Sequence, residues 1–180
     1  MAGICDGASL GQSAAGWGED GGDGVKRAGI GSHTKPNVGG SVEWFTPPEI
    51  IAVLGRFDDD PCRPGATDGL SRKWNGRVWL NPPYDRKLHN WLWKLADHGN
   101  GIALLFARTE TRSFVECVWQ RATALLFLHG RLHFHRADGS RADGNAGGPS
   151  VLVAYGENNA DALSRSRIRG TLIRQWFQRP

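Results

Sequence analysis

Four consecutive residues, Asn81-Pro82-Pro83-Tyr84, combine side-chain and backbone groups that could hold a flat, amine-bearing ring. Two successive prolines restrict the backbone and remove two N–H donors, so nearby carbonyl oxygens stay available as hydrogen-bond acceptors. The amide of Asn81 supplies a further acceptor, and the ring of Tyr84 offers a face for stacking. This tetrapeptide predicts a small, rigid pocket for an exocyclic amine on a planar ring, and it points to methylation of a nucleobase amine.

The same groups suggest how such an amine would be made to react. The lone pair of adenine N6 is delocalised into the ring, so the nitrogen is a poor nucleophile. If the Asn81 side-chain oxygen and the Pro82 carbonyl each accept one N6–H, the nitrogen moves toward tetrahedral geometry and its lone pair points at a methyl donor. Tyr84 would then stack on a base flipped out of the duplex. The simpler alternative is a strand-to-helix turn that Asp85 caps.

Acidic residues supply a second set of candidates. Residues 56–61 read as a short strand that runs into a turn, and they include Asp58, Asp59 and Asp60. The carboxylate of Asp60 could accept hydrogen bonds from ribose hydroxyls or an ammonium group of the methyl donor. The three acids together also leave open a two-metal nuclease site, or a solvated acidic turn. Further along, Asp68 either lines a cofactor or base pocket or belongs to a turn.

The charges of the chain are unevenly divided. Residues 1–60 carry nine acids and four Lys/Arg, net −5, whereas residues 61–180 carry nine acids and eighteen Lys/Arg, net +9. A segment this basic is typical of a protein that approaches nucleic-acid phosphates, although simple solubility charge would look the same. Arg108, Arg131 and Arg136 lie in predicted loops, where they are expected to contact DNA, at phosphates more than at bases.

Apolar strands alternate with amphipathic helices, which indicates an α/β fold with a mainly parallel sheet covered on both faces. Right-handed crossovers then bring the ends of the strands, with the tetrapeptide and Arg108, to one carboxyl edge, where open α/β sheets bind ligands. The third and fourth strands have no helix between them, so an antiparallel pair is expected at the end of the sheet. The predicted strands are 78–81, 102–107, 124–128 and 151–155. The predicted helices begin at Thr46, Asp85 and Thr111. The tail from Asp161 is also predicted to be helical, with an interruption at Gly170.

Residues 1–40 contain twelve glycines and few large apolar residues, which predicts a flexible Gly-rich N-terminal tail. These glycines follow no predicted strand, so they are not a dinucleotide-binding fingerprint. The folded domain is therefore expected to occupy residues 41–180.

The chain gives little sign of a bound metal, a disulfide or a membrane segment. Its three cysteines are far apart and include no CxxC pair. His129, His133 and His135 have no cysteine or acid at ligand spacing, so no metal is expected. No apolar stretch approaches the ~18 residues of a membrane span, and no signal-peptide pattern begins the chain. A reducing cytoplasm is the expected location, with no membrane partner.

Several short motifs occur in a fixed order along the chain. They are Glu43-Trp44-Phe45-Thr46-Pro47, Asp60-Pro61, Asp68-Gly69-Leu70, Trp74-Asn75-Gly76, Val78-Trp79-Leu80 with the tetrapeptide, Gly130-Arg131-Leu132 and Pro149-Ser150-Val151-Leu152-Val153. Together they resemble the small Dam-like DNA N6-adenine methyltransferases of phages and prophages, over roughly residues 42–156. The tetrapeptide alone is less specific, since RNA and protein-glutamine methyltransferases also use it.

This resemblance implies a reduced, Rossmann-like class I methyltransferase sheet, S-adenosylmethionine as the methyl donor, and transfer to adenine N6 in double-stranded DNA. It makes the tetrapeptide the catalytic motif and places Thr46 and Pro47 beside the methionine end of the cofactor. Asp60 and Asp68 become candidate cofactor contacts, and a phage-encoded enzyme would work in the host cytoplasm. The chain departs from larger methyltransferases in having no Phe-x-Gly-x-Gly loop after a first strand.

Other functions stay open from the sequence. The same planar amine chemistry fits methylation of RNA or of a protein glutamine. The chain could also be a catalytically idle nucleic-acid-binding module on a methyltransferase fold, and a metal-dependent nuclease is the remote option.

Overall fold

Five strands form one open mixed sheet in the computed structural model, and helices cover both of its faces, which makes this an α/β fold. The described residues are 45–63, 65–135, 140 and 146–176. The strands are β1 Val78–Leu80, β2 Gly101–Phe106, β3 Ala124–Leu128, β4 Ser150–Tyr155 and β5 Gly170–Ile173, in the spatial order β1-β2-β4-β3-β5. The helices are α1 Pro48–Leu54, α2 Leu88–His98, α3 Arg112–Phe114, which continues into a π-helical turn Val115–Trp119, and α4 Glu157–Arg165.

The strands do not all run in one direction. β1 pairs with β2 in parallel, whereas β4 is antiparallel to both of its neighbours, β2 and β3, and β5 is antiparallel to β3. β1, β2 and β3 therefore point the same way, and their C-terminal ends meet at one edge of the sheet, which we call the carboxyl edge. β4 begins at this edge and runs away from it, since Ser150 pairs with Phe106.

The expected antiparallel pairing of β3 with β4 is confirmed, but three other expectations about the sheet were wrong. The sheet is mixed rather than mainly parallel, because β1 and β2 form the one parallel pair among the described strands. β4 was expected at the end of the sheet, but it lies inside it, where all six of its residues are buried. A strand that is apolar on both sides needs cover on both faces, and an interior position supplies that cover. The tail beyond Gly170 was expected to be helical, but it forms β5. A Cβ at Gly170 would lie 2.6 Å from the Phe127 carbonyl oxygen, so glycine permits this close pairing with β3.

Side chains alternate along the strands and build a separate core on each face of the sheet. On one face, α2, α3 and the π-helical turn pack against the sheet, and the strands contribute Val78, Leu80, Ala103, Leu105, Leu125, Val151, Val153 and Tyr155. On the other face, α1 and α4 pack against Trp79, Ile102, Leu104, Ala124, Leu126, Leu128, Leu152 and Ala154.

Arg77, just before β1, fixes α1 and α4 to the edge opposite the carboxyl edge. Its guanidinium donates to the carbonyl oxygens of Leu54 at 2.9 Å and Arg56 at 3.0 Å, and to the side-chain oxygen of Asn159 at 2.6 Å. Because Leu54 is the last residue of α1, this contact places the C-terminal end of α1 near the start of β1. The N-terminal end of α1 therefore points toward the carboxyl edge.

The segment 56–61, predicted as a short strand, forms only an isolated backbone bridge beside β1. Asp59 bridges Val78 in parallel, and the Trp79 N–H donates to the Asp59 carbonyl at 2.9 Å. Asp60 follows this bridge in the direction of the carboxyl edge.

The predicted boundary between a Gly-rich tail at 1–40 and a domain at 41–180 lies outside the described residues. Within the part of the chain that the structure describes, no helix has both the length and the apolar character to cross a membrane.

The close packing of β1 on β2 gives a stability test at Gly101. A Cβ there would lie 2.5 Å from the Val78 carbonyl oxygen and 2.9 Å from Leu95 Cδ1. We expect Gly101→Ala to lower the free energy of unfolding by about 1–3 kcal/mol, because backbone and core must shift to make room. Urea unfolding measures this loss.

The matched control is Gly148→Ala, where the nearest atom to an added Cβ is Phe106 Cδ1 at 3.4 Å. This control should change stability by no more than about 0.5 kcal/mol. Equal stability of the two variants would contradict the tight β1–β2 approach.

Candidate functional site

The carboxyl edge brings together segments that are far apart in the chain. Asn81 follows β1, Arg108 lies two residues after β2, and His129 follows β3. Ser150, the first residue of β4, lies opposite Phe106 at the same edge. The tetrapeptide and Arg108 thus share one edge of the sheet, as their sequence positions predict.

The register of β1 and β2 explains how the tetrapeptide reaches the end of β2. Leu80, the last residue of β1, is level with Ala103, and β2 continues for three more residues to Phe106. An extended chain advances about 3.3 Å per residue, so the segment after Leu80 comes level with Phe106 near Pro83. Because both prolines lack an N–H, this segment follows β2 without continuing the β-ladder.

Tyr84 is fixed at this point by two contacts with Phe106. The two rings stack with centroids 4.4 Å apart and an interplanar angle of 26°. The Phe106 N–H donates to the Tyr84 hydroxyl at 2.9 Å. The hydroxyl is buried, and this burial raises the pKa of Tyr84, which keeps it neutral at physiological pH. Tyr84 as a whole is still 40% exposed, so part of the ring remains accessible to a planar partner.

Two of the predicted DNA-contacting arginines come close to Phe106. The guanidinium carbon of Arg108 is 5.9 Å from the centre of the Phe106 ring. A Cβ added to Gly148 would lie 3.4 Å from Phe106 and 3.8 Å from Arg131 Nη1. The guanidinium of Arg131 therefore also lies near the Phe106 ring. Arg136, the third predicted contact, lies outside the described residues.

Phe106 was missed by sequence reasoning. The available signal was its position as the last apolar residue of a strand that ends at the carboxyl edge. The contact with Tyr84, however, depends on the register between two strands, which no local pattern reveals.

A cleft of about 180 Å³ opens beside Tyr84. Its apolar lining belongs to the core beneath α2 and α3, so the cleft lies on that face of the sheet. Its lining residues are Tyr84, Asp85, Arg86, Leu88, His89, Leu92, Leu105, Phe106, Arg108, Thr111, Ser113 and Phe114.

Asp85 does not cap α2 as the sequence predicted. The N-cap position is Lys87, which makes no side-chain capping bond, and α2 begins at Leu88. Asp85 Oδ1 instead accepts the Lys87 N–H at 2.7 Å. This carboxylate shapes the turn between the tetrapeptide and the helix.

Asp58 and Asp59 are both engaged in holding the fold together. Asp58 Oδ2 accepts the Arg77 N–H at 2.9 Å. Both carboxylate oxygens of Asp59 accept from Arg72 at 2.6 Å, and these hydrogen bonds lower the pKa of Asp59. Within the described ranges, no group of three His, Cys, Asp or Glu side chains could hold a metal ion.

Asp60 differs from its two neighbours. Its Oδ1 accepts the Cys62 N–H at 3.1 Å, and it forms no ion pair with a described residue. Burial is the main influence on this carboxyl, and it raises the pKa of Asp60. A partly buried carboxylate that forms no ion pair with a described residue is suited to accept hydrogen bonds from a ligand.

Thr46 does not cap α1. The N-cap position is Pro47, without a side-chain bond. Phe45 and His135 exchange two backbone hydrogen bonds at 3.0 Å, which ties the start of α1 to the segment after β3. The Thr46 hydroxyl oxygen is buried with no hydrogen-bond partner among the described residues. A buried hydroxyl of this kind fits a ligand that completes its hydrogen bonding.

Asp68 has the contacts of a turn residue. Its carbonyl accepts the N–H groups of Ser71 and Arg72, and its mostly exposed carboxylate lies 3.7 Å from Arg72 Nε. These contacts connect it to the loop after Asp60 rather than to the tetrapeptide.

No protein-family model matches this chain, and neither the curated proteins nor the solved structures contain a significant match to it. The functional argument therefore depends on the residues and on the geometry of the carboxyl edge.

The burial of Asp60 predicts a pH-dependent cost in stability. Its pKa in the folded protein is raised above the usual 3.8, so the folded state holds the proton more tightly than the unfolded chain. The cost is absent well below pH 3.8 and develops as pH rises through the folded-state pKa. We expect Asp60→Asn, which keeps an acceptor for Cys62, to be more stable than wild type at pH 7. Urea unfolding across pH 4–7 should show this advantage shrinking as pH falls.

The control for this test is Asp68→Asn, at an exposed carboxylate, which should show no comparable gain. A variant Asp60→Asn that is less stable than wild type at neutral pH would mean that the ionised carboxylate is stabilised in the fold.

Proposed function

We propose that this protein transfers a methyl group from S-adenosylmethionine to N6 of adenine in DNA. The observation that carries the proposal is the position of the tetrapeptide at the C-terminal end of β1, with Tyr84 stacked and hydrogen-bonded against Phe106. The same short segment carries the Asn81 amide, the Pro82 carbonyl and the partly exposed Tyr84 ring. These are the groups that recognition of a planar amine requires.

The sheet is compatible with the Rossmann-like class I methyltransferase fold that the sequence motifs imply. Three strands run in parallel, and a reversed strand, β4, is inserted between two of them. Helices cover both faces, and the candidate site lies at the C-terminal ends of the parallel strands. Open α/β sheets commonly bind their ligands at this edge.

In the proposed mechanism, Asn81 and Pro82 prepare the amine. The Asn81 side-chain oxygen and the Pro82 carbonyl each accept one N6–H of the adenine. These two hydrogen bonds pull the N6 hydrogens out of the plane of the ring. The nitrogen lone pair is then less delocalised into the ring and points out of its plane. The rigid Pro-Pro backbone keeps both acceptors in place, so little reorganisation is needed at the moment of reaction.

Tyr84 would hold the flipped base by stacking. Its hydroxyl is anchored to the Phe106 N–H, which fixes the plane of the ring. Base–aromatic stacking contributes about 1–3 kcal/mol, enough to offset much of the cost of unstacking the adenine. The raised pKa of Tyr84 excludes it as a general base at neutral pH, so its role is positioning.

Thr46 and Asp60 are the residues best suited to hold the methyl donor. Thr46 has a buried hydroxyl with no hydrogen-bond partner among the described residues, and Asp60 has a partly buried carboxylate that forms no ion pair with a described residue. When bound, S-adenosylmethionine supplies an electrophilic methyl group. The Thr46 hydroxyl and the Asp60 carboxylate would bind its polar groups and orient it. Asp68, which is exposed in a turn, is a weaker candidate for this role.

Arg108 and Arg131 would contact the DNA backbone beside the flipped base. Both lie near Phe106, and the segment 61–180 carries a net charge of +9. Neither arginine forms an ion pair with a described residue, so both guanidinium groups can neutralise phosphates.

The test of this function is an incubation of the protein with S-adenosylmethionine that carries a deuterated methyl group. Double-stranded DNA, RNA and a glutamine-containing peptide are offered as separate substrates, and each is digested and analysed by mass spectrometry. The proposal predicts labelled N6-methyladenine from DNA. Label in RNA or glutamine alone would favour the corresponding alternative, and no label anywhere would favour a catalytically idle binding module.

The mechanism is tested by Asn81→Ala. Loss of one positioned acceptor should lower the methylation rate about 100-fold or more, because the amine is no longer activated. Binding of DNA should change little, because the phosphate contacts are intact. Rates are measured by label incorporation, and binding by fluorescence anisotropy.

The matched control is Asn90→Ala, an exposed asparagine on α2, which should behave as wild type. Near wild-type methylation by Asn81→Ala would refute the role of its side-chain oxygen, even if the protein proved to be a methyltransferase.

A further inference from the structure

We propose that the cleft beside Tyr84 is a second nucleotide subsite, which binds the nucleotide next to the target adenine in the substrate strand. The target's identity rests on the proposed function, whereas the case for a nucleotide in the cleft comes from the size, lining and charge of the cleft itself.

The cleft has room for one base. Its volume of about 180 Å³ is smaller than the roughly 300–1,000 Å³ of pockets that enclose drug-sized ligands. A single ring system therefore fits inside, with its sugar and phosphate at the mouth. Neither Asn81 nor Pro82 lines the cleft, so it is separate from the place where the target amine would be held.

The interior of the cleft suits a planar, mostly apolar group. Leu88, Leu92, Leu105 and Phe114 form its apolar part, and three of these four are buried in the core. Tyr84 forms one wall of the cleft. Such surfaces favour stacking and van der Waals contact with a base without selecting one base by hydrogen bonds.

The mouth of the cleft suits an anion. Arg86 and Arg108 both line it, and neither is ion-paired within the part of the chain that the structure describes. Asp85 is the one acid in the lining, and its Oδ1 accepts the Lys87 N–H. His89 lies 3.6 Å from Glu116, which partly offsets any charge it gains. Two arginines against one aspartate leave the lining with a net charge of +1 (2 − 1), which complements a phosphate.

Tyr84 connects the two subsites. It is the last residue of the tetrapeptide and also a wall of the cleft. A strand whose target base contacts Asn81 would therefore pass Tyr84 and place its next nucleotide at the cleft. This neighbouring site would position the strand and contribute to the choice of the methylated adenine.

Two variants separate the charge of the cleft from its volume. Arg86→Gln removes an exposed guanidinium that forms no ion pair with a described residue. Ser113→Phe fills the cleft without changing its charge, and it breaks no side-chain hydrogen bond between Ser113 and another described residue. Arg165→Gln, on α4 at the other face, is the matched charge control. Thermal unfolding confirms that each variant is folded.

The measurement is binding of a fluorescein-labelled single-stranded oligodeoxynucleotide by anisotropy, without methyl donor, over a series of salt concentrations. We expect Arg86→Gln to weaken binding about tenfold. It should also make the slope of log K against log salt about 0.7 less steep, as expected for one lost phosphate contact. Ser113→Phe should weaken binding and leave the slope unchanged, and Arg165→Gln should alter neither.

Wild-type affinity in both cleft variants would overturn the inference. A change in Arg86→Gln without any change in Ser113→Phe would also overturn it, because the arginine would then bind a phosphate outside an empty cleft. Cleft-dependent binding by a protein that methylates nothing would refute the proposed function and leave this subsite standing. Methylation of DNA by a protein whose oligonucleotide binding does not depend on the cleft would refute this subsite and leave the proposed function standing.

Discussion

The parallel register between β1 and β2 is the constraint on which the candidate site depends. It aligns Val78 with Gly101 and Leu80 with Ala103, and the missing side chain of Gly101 permits this close approach. Because of this register, the extended segment after Leu80 must run alongside the last residues of β2. Tyr84 consequently meets Phe106, and the last residue of the tetrapeptide becomes fixed at the end of β2.

The candidate ligand-binding groups differ in chemical character. Thr46, just before α1, has a buried hydroxyl with no hydrogen-bond partner among the described residues, and Asp60, which follows the bridge to β1, has a partly buried carboxylate. The cleft beside Tyr84 instead has an apolar interior, with Arg86 and Arg108 in its lining. Polar groups and an apolar cleft suit two different ligands.

The sequence contained enough to place the tetrapeptide, because two prolines after a run of only a few apolar residues favour the end of a strand. The apolar face of α2 also followed from periodicity, whereas the segment after Thr111 is α-helical only to Phe114 and then π-helical, which leaves Val115 exposed. The position of β4 could not be read, because an apolar strand looks the same whether it pairs in parallel or antiparallel. β5 was missed because it has only four residues and is only partly buried at the end of the sheet.

The helix caps and the three consecutive aspartates show a different limit of prediction from sequence. Thr46 and Asp85 have the right residue types for capping, but tertiary pairing and proline geometry set their backbone, so neither caps its helix. Asp58, Asp59 and Asp60 look alike in sequence. Their roles separate only when the fold brings Arg77 and Arg72 to the first two and leaves the third without a cation. Long-range contacts decided each of these outcomes.

The central claim is that the tetrapeptide holds the amine of a flipped adenine. It is tested most directly by a crystal structure of the protein with S-adenosylhomocysteine and an adenine-containing oligodeoxynucleotide. The account predicts adenine N6 within about 3.2 Å of both the Asn81 side-chain oxygen and the Pro82 carbonyl oxygen, with the base stacked on Tyr84. An adenine bound away from Asn81, with its ring in contact with neither Tyr84 nor the carboxyl edge, would contradict it.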